Sequence, residues 1–406
     1  MGAGLSKARL ERLHEVLAGH VAHGGVPGLV ALVARRGETH VDAIGTMTLP
    51  GDAHGGADVR ADTIFRIASM TKPVTAVATL ILAEEGRLRL DDPVDDLLPE
   101  LAARRVLRRL DGPVTDTVPA ARPITPRDLL TFTQGFGMLW GGPDEYPVLA
   151  AAQEAGLVQG PPAPGSEPAP DEWLRRVSTL PLMEQPGERW RYNTGSEILS
   201  VLVARAAGQP FDAFLAERIF APLGMVDTAF WVPGEKIHRL PVSWWSGWDG
   251  AGPVVYDEAA GGMWSRPPAF CNGAGGLVST AADFAAFAAM LLGGGAYAGE
   301  RILSRPSVEL MTSDQLTPAQ KDGASLVPGW FEDNGYGFGV GVLTRRRDVG
   351  PALGAYGWDG GLGTSWVNDP AEGMVTILLT QRAFTSPAPP AVVRDFRTLA
   401  YAAVDD

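Results

Sequence analysis

The strand-like segments of this chain lie at its two ends, and that placement constrains the fold more than any other feature. Two of them, 30–34 and 41–45, flank an Arg36-Gly37-Glu38 turn. The others lie in the last third, at 337–343, near 354–358, at 364–368 and at 374–380. A sheet that uses both ends of a chain requires the ends to meet, so we predict an α/β (α+β) domain built from both termini.

Helical patterns occupy most of the remaining length. They are predicted at 4–23, 69–85, 196–207, 210–220, 281–292 and 390–404, and the region from about 90 to 200 is helical with loops. We therefore predict that residues 1–88 and 270–406 form a discontinuous α/β domain, and that 89–269 is a mostly helical insertion.

The segment 231–270 lacks clear periodicity but is rich in tryptophan, and we call it the tryptophan-rich flap. Its tryptophans are Trp231, Trp244, Trp245, Trp248 and Trp264. Two interpretations stay open for them: they line an apolar pocket for an acyl or alcohol group, or they pack a surface flap.

Composition narrows the classes of partner. The chain has 406 residues, 45% of them hydrophobic, which is ample for a large core. Its net charge of −13 argues against nucleic acid and anionic membranes as partners. Cys271 is the single cysteine, and the six histidines lack metalloprotease spacing. We expect no metal and no cofactor.

The N-terminal segment favours a cytoplasmic protein. Residues 7–13 form an amphipathic pattern without an apolar signal core, and the chain has no run of about 18 apolar residues that would span a membrane. The oligomeric state stays open, a homo-oligomer included.

Ser69-Met70-Thr71-Lys72 places a hydroxyl and an amine one helical turn apart, in a chain with four lysines against thirty arginines. A desolvated lysine can lose its proton near neutral pH and then accept the serine proton, which makes the serine a nucleophile. The alternative is that Ser69 only caps a core helix and that Lys72 is solvated.

Tyr192 is the leading candidate for a second proton carrier, because it lies between a turn and a predicted helix. The alternative is a core tyrosine with a satisfied hydroxyl. A Ser-His-Asp arrangement is disfavoured, since the chain has no Gly-x-Ser-x-Gly motif and no histidine after His238.

The order and spacing of Ser69-Met70-Thr71-Lys72, Tyr192 and the Gly-Trp-Asp-Gly-Gly run at 357–361 resemble the serine β-lactamase/penicillin-binding superfamily. The chain looks most similar to class C β-lactamase-like carboxylesterases, the family VIII esterases. Three further stretches carry the resemblance, at 124–130, 222–228 and 275–283. The resemblance covers roughly residues 10–400.

The resemblance implies a β-lactamase-like fold, with an antiparallel sheet flanked by helices. It also implies a serine carboxylesterase that cleaves short or medium-chain acyl esters. Ser69 would be acylated, Lys72 would be its base and Tyr192 a second acid/base. The backbone N–H groups of Ser69 and Gly361 would form the oxyanion hole.

Two departures from the family pattern bear on the substrate. Trp358, followed by Asp359, stands at the position of the lysine that helps β-lactamases to hold a substrate carboxylate, and Asn193 is displaced by one position from the usual Tyr-x-Asn motif. Both changes favour neutral esters. We predict that Trp358, Asp359 and Gly360 contact the substrate, although Trp358 could also be simple packing.

Other activities remain open. They are an acyltransferase of the same fold, a β-lactamase or DD-peptidase, an amide or oligomer hydrolase, and a sensor that is acylated without turnover.

Overall fold

An antiparallel sheet of seven strands joins the two ends of the chain in the computed structural model, which describes residues 4–49, 56–157, 160–246, 252–323 and 327–406. The strands are β1 Gly28–Arg35, β2 Glu38–Gly45, β3 Phe65–Arg66, β4 Arg105–Leu107, β5 Thr117–Pro119, β6 Ser243–Trp245, β7 Val254–Asp257, β8 Val278–Ser279, β9 Ala296–Tyr297, β10 Glu300–Arg301, β11 Asn334–Tyr336, β12 Gly341–Leu343, β13 Tyr356–Gly360, β14 Thr364–Asp369 and β15 Met374–Thr380. The sheet order is β11-β12-β13-β14-β15-β1-β2. The predicted fold class, with a sheet built from both termini, is confirmed.

Helices cover both faces of the sheet. The α-helices are α1 Lys7–Ala22, α2 Thr71–Glu84, α3 Pro126–Thr131, α4 Pro147–Glu154, α5 Pro170–Thr179, α6 Thr194–Ala207, α7 Phe211–Leu215, α8 Ala221–Leu223, α9 Ala281–Leu292, α10 Arg305–Met311, α11 Pro318–Lys321, α12 Trp330–Asp333 and α13 Ala391–Ala402. Strand side chains alternate between faces. Leu29 and Val33 therefore pack under α1 and α13, whereas Val30 and Leu32 join the larger core with α2 and α9.

The region between the terminal parts contains helices α3–α8 and two short hairpins, β4–β5 and β6–β7. Helix α6 packs against α2 and α3. Core residues of α2, such as Val77, belong to the same buried cluster as Leu202 of α6. The helical region thus shares its core with the α/β part, and the division at residues 89 and 269 stays a prediction.

The predicted strand at 337–343 is wrong in its first half. Residues 337–340 form the turn between β11 and β12, and only Gly341–Leu343 is a strand. Gly339 has φ +72°, and a Cβ there would lie 2.9 Å from the carbonyl oxygen of Lys72. A glycine is needed because this turn must approach the backbone of α2 closely.

Within the described ranges, no single helix is long and apolar enough to cross a membrane, and the sharply bent pair Thr194–Ala207 and Phe211–Leu223 passes that test only when taken together. Nor does any group of three or more His, Cys, Asp or Glu side chains there suit a metal ion.

Candidate active site

Ser69 and Lys72 are in direct contact. Ser69 lies in a 3-10 turn, Ala68–Met70, that leads into α2, and Lys72 lies in the first turn of α2. Lys72 Nζ is 3.0 Å from Ser69 Oγ and donates to the carbonyl oxygen of Ala274 at 2.6 Å. Lys72 is 1% exposed, and the N-cap residue of α2 is Met70, not Ser69. The interpretation as a helix cap with a solvated lysine is therefore wrong.

Burial changes the proton affinity of Lys72. It lowers the pKa of the amine to about 7, and the charge of Glu197 acts in the opposite direction. Near neutral pH, a substantial fraction of Lys72 is thus uncharged and has a free lone pair. The hydroxyl of Ser69, which is partly exposed, lies within hydrogen-bond distance of that amine.

Tyr192 joins this pair from the segment before α6. Its hydroxyl oxygen accepts a hydrogen bond from Trp358 Nε1 at 2.8 Å, and Lys72 Nζ lies 4.5 Å from its ring centroid. Burial raises the pKa of the phenol, while hydrogen bonds with Ser69 and Trp358 oppose that shift. Tyr192 therefore stays protonated at neutral pH, where Lys72 is partly deprotonated.

An aromatic cluster surrounds Tyr192, formed by Phe132, Trp190, Trp330, Phe331, Tyr336 and Trp358. The Tyr192 ring centroid lies 5.5 Å from that of Phe132, 5.6 Å from that of Trp190 and 5.7 Å from that of Trp358. These distances suit stabilising edge or tilted ring contacts. The cluster fixes the phenol and shields it from water.

The backbone is strained beside both reactive side chains. Ala68, which precedes Ser69, has φ +44°, and Asn193, which follows Tyr192, has φ +85°. Residues other than glycine rarely occupy the left-handed region, and such strain concentrates at functional sites. This signal could not be read from the sequence, because neither position carries glycine.

Strand β13 brings the Gly-Trp-Asp-Gly-Gly run to the site, but its residues face two ways. Trp358 points to Tyr192, whereas Asp359 forms an ion pair with Arg397 of α13 on the other face of the sheet. Arg397 also donates to Ser365 Oγ at 2.9 Å. Asp359 therefore points away from Trp358, because neighbouring strand residues point in opposite directions, and its contact with the substrate stays a prediction.

The two glycines that follow have different surroundings. A Cβ on Gly360 would collide with the carbonyl oxygen of Ile67, so this glycine allows β13 to pack against the chain just before Ser69. This packing requires a glycine at position 360, and the contact of Gly360 with the substrate stays a prediction. A Cβ on Gly361 would meet nothing within 4 Å, and Gly361 is exposed beside that contact. Its role in an oxyanion hole stays a prediction.

The tryptophan-rich flap is partly a packed structure. Trp264 is fully buried, and its Nε1 donates to the carbonyl oxygen of Gly276 at 2.8 Å. Trp244 is also buried, whereas Trp231 and Trp245 are partly buried. Packing therefore accounts for Trp244 and Trp264, and Trp248 lies outside the described residues.

Sequence reasoning missed a polar group near Lys72. Asn272 Nδ2 donates to Glu167 Oε1 at 2.6 Å and lies 3.4 Å from Glu197 Oε1. Glu197 lies in the first turn of α6, where an acidic residue is ordinarily explained by the helix dipole. One feature of the sequence could have pointed to Glu197: it lies five positions after Tyr192, so both residues lie beside the start of the same helix.

Comparison with known proteins agrees with the fold. The Beta-lactamase family model matches residues 13–399. Protein Rv1367c of Mycobacterium tuberculosis (strain ATCC 25618 / H37Rv) is 38% identical over 335 residues, which are 81% of this chain and 80% of that protein. Esterase EstB of Burkholderia gladioli is 31% identical over 386 residues, 90% of this chain and 88% of EstB.

Among solved structures, EstCE1, described as a hydrolase with promiscuous acyltransferase activity, has a TM-score of 0.78 at 23% identity and covers 97% of this chain and 99% of its own. The resemblance predicted from the motifs is confirmed. The chain belongs to the beta-lactamase family, where it is a homologue of a β-lactamase-like esterase.

Proposed function

We propose that this protein is a serine carboxylesterase that cleaves short or medium-chain acyl esters through an acyl-enzyme on Ser69. The observation that carries the proposal is the 3.0 Å contact between Ser69 Oγ and Lys72 Nζ, together with the burial that lowers the pKa of Lys72 to about 7. A weak alcohol nucleophile beside a base of matched pKa is the arrangement that acyl transfer requires. The similarity to EstB supports an ester as substrate.

In acylation, neutral Lys72 takes the proton of Ser69 as Oγ attacks the ester carbonyl carbon. The carbonyl oxygen becomes an oxyanion, which the N–H groups of Ser69 and Gly361 would stabilise by a few kcal/mol each. Tyr192 is the protonated group at neutral pH, so it donates its proton to the departing alkoxide. Lys72 then returns the serine proton to Tyr192, and the proton count balances.

In deacylation, water replaces the departed alcohol. Neutral Lys72 takes a proton from the water as the water oxygen attacks the acyl carbon. The tetrahedral intermediate collapses, Ser69 Oγ leaves and takes that proton from Lys72, which becomes neutral again, and the carboxylic acid departs. The Trp358 N–H, 2.8 Å from the Tyr192 oxygen, stabilises negative charge that develops on the phenol during the cycle.

The charges near Lys72 support a neutral ester over a β-lactam. Glu197 interacts with Lys72 and Glu167 interacts with Glu197, and Trp358 contributes a neutral indole where the family's third motif carries lysine. A substrate carboxylate would gain no full positive charge from these groups.

The experiment compares p-nitrophenyl butyrate hydrolysis by the wild type and by Ser69→Ala, with nitrocefin assayed in parallel. We expect at least a thousandfold loss of ester turnover in the variant and little nitrocefin cleavage by the wild type. Ester turnover that survives Ser69→Ala would overturn the proposal. Fast nitrocefin cleavage with poor ester turnover would assign a β-lactamase instead.

Acyl transfer to an alcohol is the second candidate, supported by the likeness to EstCE1, a hydrolase with promiscuous acyltransferase activity. The same acyl-enzyme would serve both reactions, and only the acceptor differs. Adding a primary alcohol to the p-nitrophenyl butyrate assay separates them: a new butyrate ester, at a rate above that of butyrate release, would favour the transferase.

A further inference from the structure

Two carboxyl groups share a single amide close to the proposed base. Glu167 lies in the loop before α5, Glu197 lies in the first turn of α6, and Asn272 precedes α9. Asn272 Nδ2 is 2.6 Å from Glu167 Oε1 and 3.4 Å from Glu197 Oε1. An amide nitrogen carries two protons, so it can donate to both carboxyl groups at once. We call these three residues the carboxyl pair and its amide.

The same short segment also holds Lys72. Asn272 Oδ1 accepts from the backbone N–H of Ala274 at 2.8 Å, and the Ala274 carbonyl oxygen accepts from Lys72 Nζ at 2.6 Å. Any movement of Asn272 therefore changes both its hydrogen bonds to the carboxyl pair and the position of the Ala274 carbonyl oxygen that Lys72 contacts. This continuity connects Glu167, in a loop more than ninety positions away in the sequence from Lys72, to the site.

The ionisable groups around Lys72 come from several elements. Tyr192 precedes α6 and lies against the lysine, and Glu197 of α6 interacts with its charge. The charge of Glu197 acts on Glu167 in the loop, and the charge of Asp359 of β13 acts on Tyr192. Glu197 is the acidic group among them that acts directly on the lysine, so the charge on Glu197 affects the lysine most.

Two neighbouring carboxyl groups cannot both ionise freely, because the second negative charge repels the first. Burial raises the pKa of Glu167 to about 8, with the charge of Glu197 adding to the effect. Burial also raises the pKa of Glu197, against the opposing effect of Asn272. Near neutral pH the pair therefore retains a proton.

Resting on the proposed function, we propose that Glu197 is a positioning residue for Lys72: the Asn272 amide joins Glu197 to Glu167, the two carboxyl groups together retain one proton, and the negative charge left on Glu197 sets how readily Lys72 becomes neutral. A fully ionised Glu197 would stabilise protonated Lys72 and remove the base at neutral pH. An uncharged residue there would make Lys72 a base that is neutral at lower pH but weaker as a proton acceptor.

The test is the pH profile of kcat/KM for p-nitrophenyl butyrate in two variants that move the charge in opposite directions. The acid limb of this profile is the fall of kcat/KM as the pH drops and Lys72 becomes protonated. Glu197→Gln removes the charge that faces Lys72, so the acid limb shifts down by about one pH unit. Glu167→Gln removes the second carboxyl group of the pair and its competing negative charge, so Glu197 ionises more fully and the acid limb shifts up. The conservative variant Glu197→Asp keeps the charge and restores most of the wild-type limb.

Glu217→Gln is the matched control, because Glu217 is an exposed glutamate of the region after α7. Thermal unfolding identifies any variant that fails to fold. An acid limb that stays in place in both Glu197→Gln and Glu167→Gln, or that moves in the same direction in both, would overturn the inference. Such a result with turnover still abolished by Ser69→Ala would leave the esterase standing, whereas turnover that survives Ser69→Ala would refute the function itself.

Discussion

The indole N–H of Trp358 donates a hydrogen bond to the phenol oxygen of Tyr192 across 2.8 Å. The two side chains come from β13 and from the segment before α6, so the contact couples the sheet to the helical region. At the position where the resemblance places a lysine in β-lactamases, this chain has a neutral donor that serves an internal partner. Trp358 is therefore a residue that holds Tyr192, beyond any contact it makes with substrate.

Replacing Trp358 by phenylalanine tests this relationship. Trp358→Phe keeps a ring in the aromatic cluster but removes the N–H, so the Tyr192 oxygen loses its donor. We expect kcat to fall about tenfold with a smaller change in KM, since a lost hydrogen bond to a developing charge is worth about 1.5 kcal/mol or more.

Trp330→Phe is the control for this variant, because Trp330 packs against Trp358 at 5.7 Å between ring centroids. Equal losses of kcat in both variants would show that ring packing, and not the hydrogen bond, supports Tyr192.

Arginine in place of Lys72 keeps a positive charge but cannot give up its proton. If neutral Lys72 is the base, Lys72→Arg should lower kcat/KM by a factor on the order of 10²–10⁴, the usual contribution of general base catalysis. Lys7→Arg, at an exposed position of α1, is the same substitution away from the site and should have no effect. Retained activity in Lys72→Arg would exclude the lysine as the base.

The pH dependence follows from the lowered pKa of Lys72. The base is active without its proton, so kcat/KM should fall as pH drops through about 7 and should decrease about tenfold per unit well below that value. The raised pKa of Tyr192 places the loss of its proton far on the alkaline side. A rate profile that is flat between pH 5 and pH 8 on an ester stable over that range would contradict the mechanism.

Alanine at Gly360 tests the contact between β13 and the turn that carries Ser69. The added Cβ would collide with the carbonyl oxygen of Ile67, and separation of the two segments would disturb the predicted oxyanion hole. We expect Gly360→Ala to lower kcat at least tenfold and to lower Tm by several degrees. In Gly234→Ala, the new Cβ meets nothing within 4 Å, so this variant should resemble the wild type in both measurements.

A buried ion pair anchors the flap beside the nucleophile. Arg66, in β3 just before the Ser69 turn, donates through Nε to Asp257 Oδ2 of β7 at 2.8 Å, and both side chains are almost fully buried. Asp257→Asn removes the charge that neutralises Arg66, so we expect a loss of about 3–5 kcal/mol in the free energy of unfolding by urea.

Asp111→Asn breaks an exposed pair with Arg109 and should leave the free energy of unfolding nearly unchanged, because solvent screens exposed charges. Similar losses in the two variants would mean that the Arg66–Asp257 pair does not behave as a buried one.

The predictable features were those that depend on neighbours in the sequence or on ordered motifs. Ser69 and Lys72 are three positions apart, and one helical turn is sufficient to bring them together. Tyr192 could be proposed from the turn before it and from the family resemblance. The strands at both ends could also be predicted, because a strand pattern depends on neighbouring residues. Their position at the two ends then predicted a shared sheet, although the strands that pair are far apart in the sequence.

The features that the sequence did not reveal depend on tertiary packing. The direction in which the Asp359 side chain points follows from which side of β13 meets α13, and a five-residue run with three glycines does not reveal that direction. Glu167, Glu197 and Asn272 are far apart in the sequence and meet only because a loop, a helix start and the segment before α9 converge. No periodicity connects them.

The order of the site residues along the chain also determines when the proposed site can form. Ser69 and Lys72 leave the ribosome about 200 residues before Ala274, which holds the lysine, and before β13, which packs against the serine turn. The nascent chain therefore carries its nucleophile long before it has a complete site. The proposed site is therefore complete only after β13 has been synthesised and has packed against the serine turn.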